Sequence, residues 1–379
     1  MARLTKSAAQ PIPSSFWPLA ELTLLAVILS IYRLVVGLGP TTNLSDHYPW
    51  GIWITVDLFL IPVAGAAFTI SLISYFFNRD RYHTVLRAAV IAGLIWYGIV
   101  GVLLFLDIGR WPQFYNILNP SYINLHSFLE EVSLSITLYT VILLLEAAPI
   151  FLEKWNLQKP IHLIEKSIYI ISGIGILISS IHQSSLGSMF LIMSHKLHPL
   201  WWTPALPVLF FLQAGFAGLG TTAIAVTLIW RVMKLPIDRD LFRRLGQAMA
   251  INLMLYGAVR LGDWMGAGEI PLLFKLDAFS VIAWVELILG LFIPLGILIS
   301  KLVRHSAGPF WAGVFALMGM FINRLMISWV GLAEPGQNAY IPSWIEIAIT
   351  VGLIAGGFLV YGVIVRFFKI FPEASEAHS

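Results

Sequence analysis

The residues in this sequence most able to do chemistry sit where long apolar stretches give out. His182 and Gln183, followed by two serines, close one such stretch in Ile181-His-Gln-Ser-Ser-Leu-Gly-Ser188. An imidazole or amide at hydrocarbon depth costs several kcal/mol unless it is paired, so it marks a partner, a ligand or a proton route. A single buried histidine can also do no more than fix helix packing through a hydrogen bond. His182 has company, however. Trp50 and Asp57 open one apolar stretch, and Asp107 ends another with Arg110 just beyond it. His126, Glu130 and Glu131 open the next; Arg260 and Asp263, Trp284 and Glu286, Arg324, and Trp344 and Glu346 follow, and Arg33 ends the first. Asp107 with Arg110 and Arg260 with Asp263, each at i,i+3, could simply neutralise one another at helix ends. That leaves Glu131, His182, Glu286 and Arg324 in need of partners.

A quinone suits this set. Its ring and tail partition into a bilayer, its carbonyls accept hydrogen bonds, and each two-electron reduction takes up two protons that positioned His, Asp or Glu side chains can relay. A metal suits it less, because a tight i,i+3 or i,i+4 ligand pattern is confined to His126 with Glu130. A b-type haem needs two axial ligands facing each other, and His126 and His182 are the histidines at the appropriate ends of spans, enough for one haem at most. The chain has no cysteine. It therefore carries no disulfide, no covalently attached haem and no cysteine-ligated iron–sulfur cluster of its own.

The elements that must hold these residues are membrane helices. Hydrophobic residues make up 58% of the 379 positions, charged residues 11%, and the mean hydropathy is +0.84, values outside soluble-domain usage. The expected fold is all-α and polytopic, a single transmembrane domain over 1–379. Spans are expected at about 17–38, 50–77, 85–107, 124–152, 163–188, 204–230, 241–264, 277–300, 309–332 and 342–368. The first is too long for a signal-peptide core and lacks a small-residue cleavage site, so it reads as a retained span. Spans 2–5 (about 50–188) and 6–9 (about 204–332) could form two four-helix bundles flanked by spans 1 and 10. Lys and Arg concentrate in the tails (Arg3, Lys6, Lys369) and alternate connections (Arg79, Arg81, Lys154, Lys159, Arg243, Arg244, Lys301). The opposite connections hold Arg110, Lys196 and Lys275. The positive-inside rule then puts both termini in the cytoplasm and the ionisable cluster toward the far leaflet of the inner membrane. A net charge of +3 gives no reason to expect nucleic acid.

Glu131 and Glu146 lie within about 60° of each other on one helix, about four turns and roughly 22 Å apart along its axis, with Tyr139 between them. This is a candidate inward proton route, although Glu146 could instead pair with Lys154. Trp111, Tyr115, Tyr122, Trp201, Trp202 and Phe274, in the far-side connections, are candidate docking anchors or interfacial belt residues. Gly215–Gly220 and Gly352–Gly357 lie inside apolar spans and read as close helix packing. A secondary transporter would bring its polar residues to the midplane on broken helices. Pro62 and Pro294 favour that alternative, and the one-sided placement of the charges opposes it.

Several stretches carry a family resemblance: Leu38-Gly-Pro-Thr-Thr-Asn-Leu-Ser-Asp-His-Tyr-Pro-Trp-Gly-Ile-Trp53, Asp107-Ile-Gly-Arg110, His182-Gln-Ser-Ser-Leu-Gly-Ser188, His198-Pro-Leu-Trp201, Arg260-Leu-Gly262, Trp284-Val-Glu286 and Pro342-Ser-Trp-Ile-Glu346. In order and over nearly all the spans, they resemble the NrfD-like quinone-interacting membrane subunits, most of all the HybB type of periplasmic-facing nickel–iron hydrogenases. The resemblance implies a haem-free subunit that passes electrons between menaquinone or another quinone and a ferredoxin-like iron–sulfur subunit on the periplasmic face. Behind that partner it implies a catalytic subunit such as a hydrogenase or a molybdenum enzyme. It carries a place at the quinone pocket or its proton route onto Trp50, Asp57, Asp107, Arg110, Glu131, His182, Arg260, Glu286, Arg324 and Glu346, and their neighbours Gln183, Asp263 and Trp344 are grouped with them. His126 and Glu130 depart from the family pattern, and Asp263 stands where related chains can have Glu.

Overall fold

The computed structural model describes residues 16–71, 83–124, 126–194, 196–233, 239–332, 339–368 and 370. Arg3, Lys6, Arg79, Arg81 and Lys369, used above for orientation, lie outside them, as do the expected helical residues 72–77.

Apolar runs bounded by Gly, Pro and polar residues fold into twelve α-helical segments among the described residues. They are α1 Phe16–Val36, α2 Ile52–Ala64, α3 Ala66–Ser71, α4 His83–Asp107, α5 Phe128–Lys154, α6 Gln158–Met189, α7 Leu206–Met233, α8 Arg239–Ala267, α9 Ala278–Leu287, α10 Ile293–Ile299, α11 Ala307–Ser328 and α12 Trp344–Phe367. Nine helical spans among the described residues are long and apolar enough to cross a membrane, counting α2 with α3 and α9 with α10 as one each. The 29-residue α8 is not among the nine; Gln247, Asn252, Arg260 and Asp263 interrupt its apolar character.

Two expected spans are interrupted. Pro62, which has no N–H to donate, precedes a break at Gly65 that separates α2 from α3. A π-helical turn, Ile288–Phe292, separates α9 from α10 just before Pro294. The connection after α4 is not irregular: Trp111–Leu118 forms a 3-10 helix whose Trp111 Nε1 donates to Leu34 O at 2.8 Å.

α1 pairs with α12, and α12 also meets α4 and α2; α2 runs beside α4, α4 beside α5, and α5 beside α6. α7 packs between α6 and α8 and against α11, which also meets α2. Small residues set the close approaches, as expected for packing in lipid. A Cβ on Gly352 would lie 2.3 Å from Leu22 O, and one on Gly313 would lie 2.8 Å from Gly220 O. Both glycine-rich stretches therefore serve helix contact. α1, α4, α6, α8 and α11 finish, and α2, α5, α7, α9 and α12 start, at one end of the bundle, the site end below.

Candidate functional site

Ionisable and aromatic side chains form three groupings toward the site end. The first joins α1, α2, α4 and α12. Arg33, on the last turn of α1, is fully buried; its Nη2 donates to Ile108 O at 2.8 Å, while Nε and Nη1 meet no partner. Asp57, buried five residues into α2, has neither carboxylate oxygen hydrogen-bonded. Asp107 is half-buried with Oδ1 unpartnered, and it interacts electrostatically with Arg33, Asp57 and Glu346. Glu346 is satisfied: it accepts from the backbone N–H of Asn43 at 3.0 Å and of Ser343 at 2.8 Å, and from the Tyr340 hydroxyl. With Ser343 it forms the capping box of α12. Tyr340 in turn accepts from Ile52 N at 3.2 Å, which ties the start of α2 to the start of α12. Gly51 is required beside it, because a Cβ there would lie 2.2 Å from the Tyr340 hydroxyl oxygen. Burial first, and then the bond to Glu346, hold the Tyr340 phenol above its ordinary pKa, so it remains a donor.

The second grouping joins α4, α5 and α6. His182 is fully buried with both ring nitrogens unpartnered, and both amide atoms of Gln183 are likewise unpartnered. The His182 ring lies edge-on to Tyr97 at 6.2 Å, and Tyr97 lies 4.8 Å from Tyr139. Tyr139 is in electrostatic contact with Glu146, which accepts from Ser172 Oγ at 2.5 Å. Pairing of Glu146 with Lys154 is not what forms: Lys154 Nζ sits 4.7 Å from the Phe368 ring centroid instead.

The third grouping joins α7, α8, α9 and α11; its carboxylate Glu286 is satisfied, while Gln213 Oε1, Arg260 Nε, Asp263 Oδ2 and two nitrogens of Arg324 are unpartnered. Glu286 accepts from Trp201 Nε1 at 2.6 Å and from Asn323 Nδ2 at 2.9 Å; Gln213 donates to Asn323 Oδ1 at 3.0 Å and to Tyr256 at 3.1 Å. Arg260 donates to Leu200 O at 2.6 Å and lies over the Trp264 ring. Arg324 lies 3.6 Å from the Phe210 ring centroid and donates to Asn323 at 3.4 Å, with Nε and Nη2 unpartnered. Neither i,i+3 pair closes among the described residues. Asp263 takes Thr203 Oγ1 at 2.5 Å instead of Arg260, and Asp107 faces Arg33 while Arg110 is exposed. In each case the side chain that meets the carboxylate comes from another element: Thr203 from the connection before α7, and Arg33 from the last turn of α1.

The other expected positions divide. Trp50 is half-buried, 5.1 Å from the Phe190 ring. Glu130 and Glu131 are half-buried at the start of α5; His126 and Trp344 are exposed. Of the aromatic candidates for docking, Trp201 is fully buried and committed to Glu286, whereas Tyr115, Tyr122 and Phe274 are exposed. Sequence reading missed Tyr97, Tyr340, Ser172, Gln213 and Asn323. All are neutral residues within or beside apolar runs, where no charge draws notice. Beyond the spans, His198 stacks on Phe279 at 4.4 Å and accepts from Leu200 N; partial burial lowers its pKa despite the nearby Asp277. Asp277 caps α9 by accepting from Ser280 N at 2.7 Å, which lowers its own.

Among the described residues no group of three or more His, Asp or Glu could hold a metal ion. A mostly apolar cavity of about 10 Å³, touched by Glu286, Gln213 and Tyr256, has room for about one water. An apolar one of about 70 Å³ lies in the other half of the bundle, between Ala64, Ala89, Gly93 and Tyr361.

Fold and site together define a polytopic, all-helical integral membrane protein that gathers buried charges at one end of its bundle. The chain belongs to the NrfD family, whose model, described as "Polysulphide reductase, NrfD", matches residues 40–335. Over 363 residues, 94% of this chain and 92% of the relative, it is 31% identical to the "Probable Ni/Fe-hydrogenase 2 b-type cytochrome subunit" of Escherichia coli. It is 28% identical to the "Menaquinone reductase, integral membrane subunit" of Nitratidesulfovibrio vulgaris, covering 92% of this chain and 90% of that one. It is 23% identical to the "Hdr-like menaquinol oxidoreductase integral membrane subunit" of Archaeoglobus fulgidus, covering 94% and 92%.

Proposed function

We propose that this chain is the integral membrane subunit of a respiratory oxidoreductase complex that exchanges electrons between membrane quinone, menaquinone above all, and an iron–sulfur partner docked on the site end. A catalytic subunit such as a hydrogenase or a molybdenum enzyme completes the complex. Relatives named for a hydrogenase, a menaquinone reductase and a menaquinol oxidoreductase support this reading over a transporter. The observation that carries the site is the set of buried, unpartnered polar atoms on Arg33, Asp57, Asp107, His182 and Gln183. Donors and acceptors left unpaired in a low-dielectric interior fit a ligand that accepts hydrogen bonds in one redox state and donates them in the other.

Quinone supplies two-electron chemistry coupled to two protons. The chain's own residues bind and supply protons: His182, Gln183 and Arg33 offer donors, Asp57 and Asp107 accept or return protons, and Trp50 walls the head. Glu131, at the mouth of α5, joins the proton exchange. Tyr97, Tyr139, Ser172 and Glu146 lead inward, a route for protons to and from the cytoplasm. The interrupted α8 makes the tenth crossing, both termini are cytoplasmic in the inner membrane, and α2–α6 and α7–α11 form two four-helix units with α1 and α12 beside them. The subunit is haem-free, since His182 faces Tyr97 and His126 lies exposed in a connection. A stoichiometric reducible Soret band lost in His182→Ala would contradict this last point.

The test of function is a pair of assays on the intact complex. His182→Ala and Glu131→Gln should lower quinone-linked turnover roughly 100-fold, the scale of general acid–base catalysis. Transfer from the catalytic partner to an artificial acceptor should stay unchanged. Equal loss in both assays would give these residues a structural role.

A further inference from the structure

Arg33 lies outside the residues that the family model matches, 40–335, as do Tyr340 and Glu346. α1 and α12 pair with each other and reach the first grouping from its flank, α12 against α2 and α4 and α1 against α4. From that flank α1 delivers one guanidinium. It is the most fully enclosed charge in the grouping, at 0% exposure, and one of its nitrogens is spent on the carbonyl that ends α4. Nε and Nη1 remain, buried and without a partner, and among the described residues Arg33 closes no ion pair with Asp107 although the two interact electrostatically. Asp57, also buried, keeps both oxygens free, and Asp107 is in electrostatic reach of both Arg33 and Asp57. Unpartnered N–H donors of Arg33 and the unpartnered carboxylate of Asp57, both buried, thus share one electrostatic neighbour, the half-buried Asp107. A guanidinium that served only to neutralise Asp107 would be expected to make direct, two-pronged contact with it.

We infer that Arg33 is a ligand-contacting residue: its free N–H groups donate to a carbonyl oxygen of the quinone head, opposite the Asp57 carboxylate. The inference rests on the quinone reading above and adds a donor from a helix beyond the family core. Because a guanidinium stays protonated, it hydrogen-bonds that oxygen in both redox states and gives it no proton. The proton that accompanies reduction must therefore come from a carboxyl neighbour, Asp57 or Asp107. Arg33 sets the position and polarisation of one oxygen, and the neighbours move the proton.

The experiment uses the intact complex and the fluorescent quinone analogue 2-heptyl-4-hydroxyquinoline N-oxide, with binding read by quenching. Arg33→Met alone leaves Asp107 uncompensated, so Asp107→Asn and the charge-balanced double variant Arg33→Met/Asp107→Asn are measured beside it. Assembly is scored by co-purification of the partner subunits. The double variant should assemble and bind the analogue roughly 10- to 100-fold more weakly than Asp107→Asn, the value of one desolvated charge-assisted hydrogen bond. Equal affinity in the double variant and in Asp107→Asn would reduce Arg33 to a charge partner and overturn the inference. So would a double variant that fails to assemble, by assigning Arg33 to the fold. No analogue binding in the unaltered complex would instead overturn the quinone reading itself.

Discussion

Two buried carboxylates at the same bundle end, Glu286 and Asp57, are served in opposite ways. Around Glu286 both carboxylate oxygens are taken, by Trp201 and Asn323, and the amide chain continues through Gln213 to Tyr256. At Asp57 both oxygens are buried and unpaired, as are two nitrogens of Arg33 and both nitrogens of His182, although Arg33 keeps one bond to Ile108 O and Glu346 nearby is satisfied; on the Glu286 side the carboxylate is served, while Arg324 keeps two nitrogens unpaired. Composition cannot explain the contrast, since each region has arginine, carboxylate and aromatic side chains. The difference lies in whether neutral partners were provided. A charge fully served by neighbours is part of the architecture, whereas one left unserved in a dry interior is held for something that arrives.

Substitutions that cross the two regions test this division. The largest effect is expected for Glu286→Ala, which strands Trp201 and Asn323 and removes the counter-charge felt by Arg260 and Arg324. About 3–5 kcal/mol of stability should be lost, seen as a fall in thermal midpoint and yield of the complex. Asp57→Asn should do the reverse, leaving the midpoint unchanged or raised because a desolvated carboxylate is gone, while quinone-linked turnover drops roughly 100-fold. If both variants simply unfolded, the division would fail. Next in size is Gly51→Ala, whose methyl meets the Tyr340 hydroxyl and should cost about 1–3 kcal/mol. An unchanged thermal midpoint in Gly51→Ala would show that the Tyr340 ring and Leu44 yield to the methyl without cost.

The smallest effect concerns His198, outside the spans. Its folded-state pKa is lowered from the ordinary 6.5, chiefly by burial, so the unfolded chain takes up the proton first. Stability from this site is full above 6.5 and declines as pH falls below it. Protection of the amides at 197–203, taken relative to intrinsic exchange at each pH, should fall on acidification from pH 7.5 to 5.5, and His198→Gln should remove that dependence.

Much of this was legible in the sequence because lipid makes the code blunt. Apolar runs of about 20 residues gave the helices, and charges within them gave Asp57, His182, Arg260, Glu286 and Arg324, all found buried. Partners were harder to read. Spacing paired Asp107 with Arg110, yet Arg33, 74 positions away, supplies the nearby charge, because helix packing brings distant turns together. Tyr97, Tyr340 and Asn323 escaped notice because they carry no formal charge, and their partners are supplied only when distant segments pack together. The interruption at Gly65 follows from Pro62, whereas the π-helical turn before Pro294 contains Gly290, which meets Gly319 in a contact between two helices that no local pattern encodes.

The most direct test of where quinone acts is photolabelling of the intact, membrane-embedded complex with an azido-quinone, followed by mapping of the modified peptides. The account predicts labels, competed away by menaquinone, in 30–57, 97–107 and 182–190, the segments that hold Arg33, Asp57, Asp107 and His182. Competed labels confined to 256–290 and 316–324, around the satisfied Glu286 network, would contradict it.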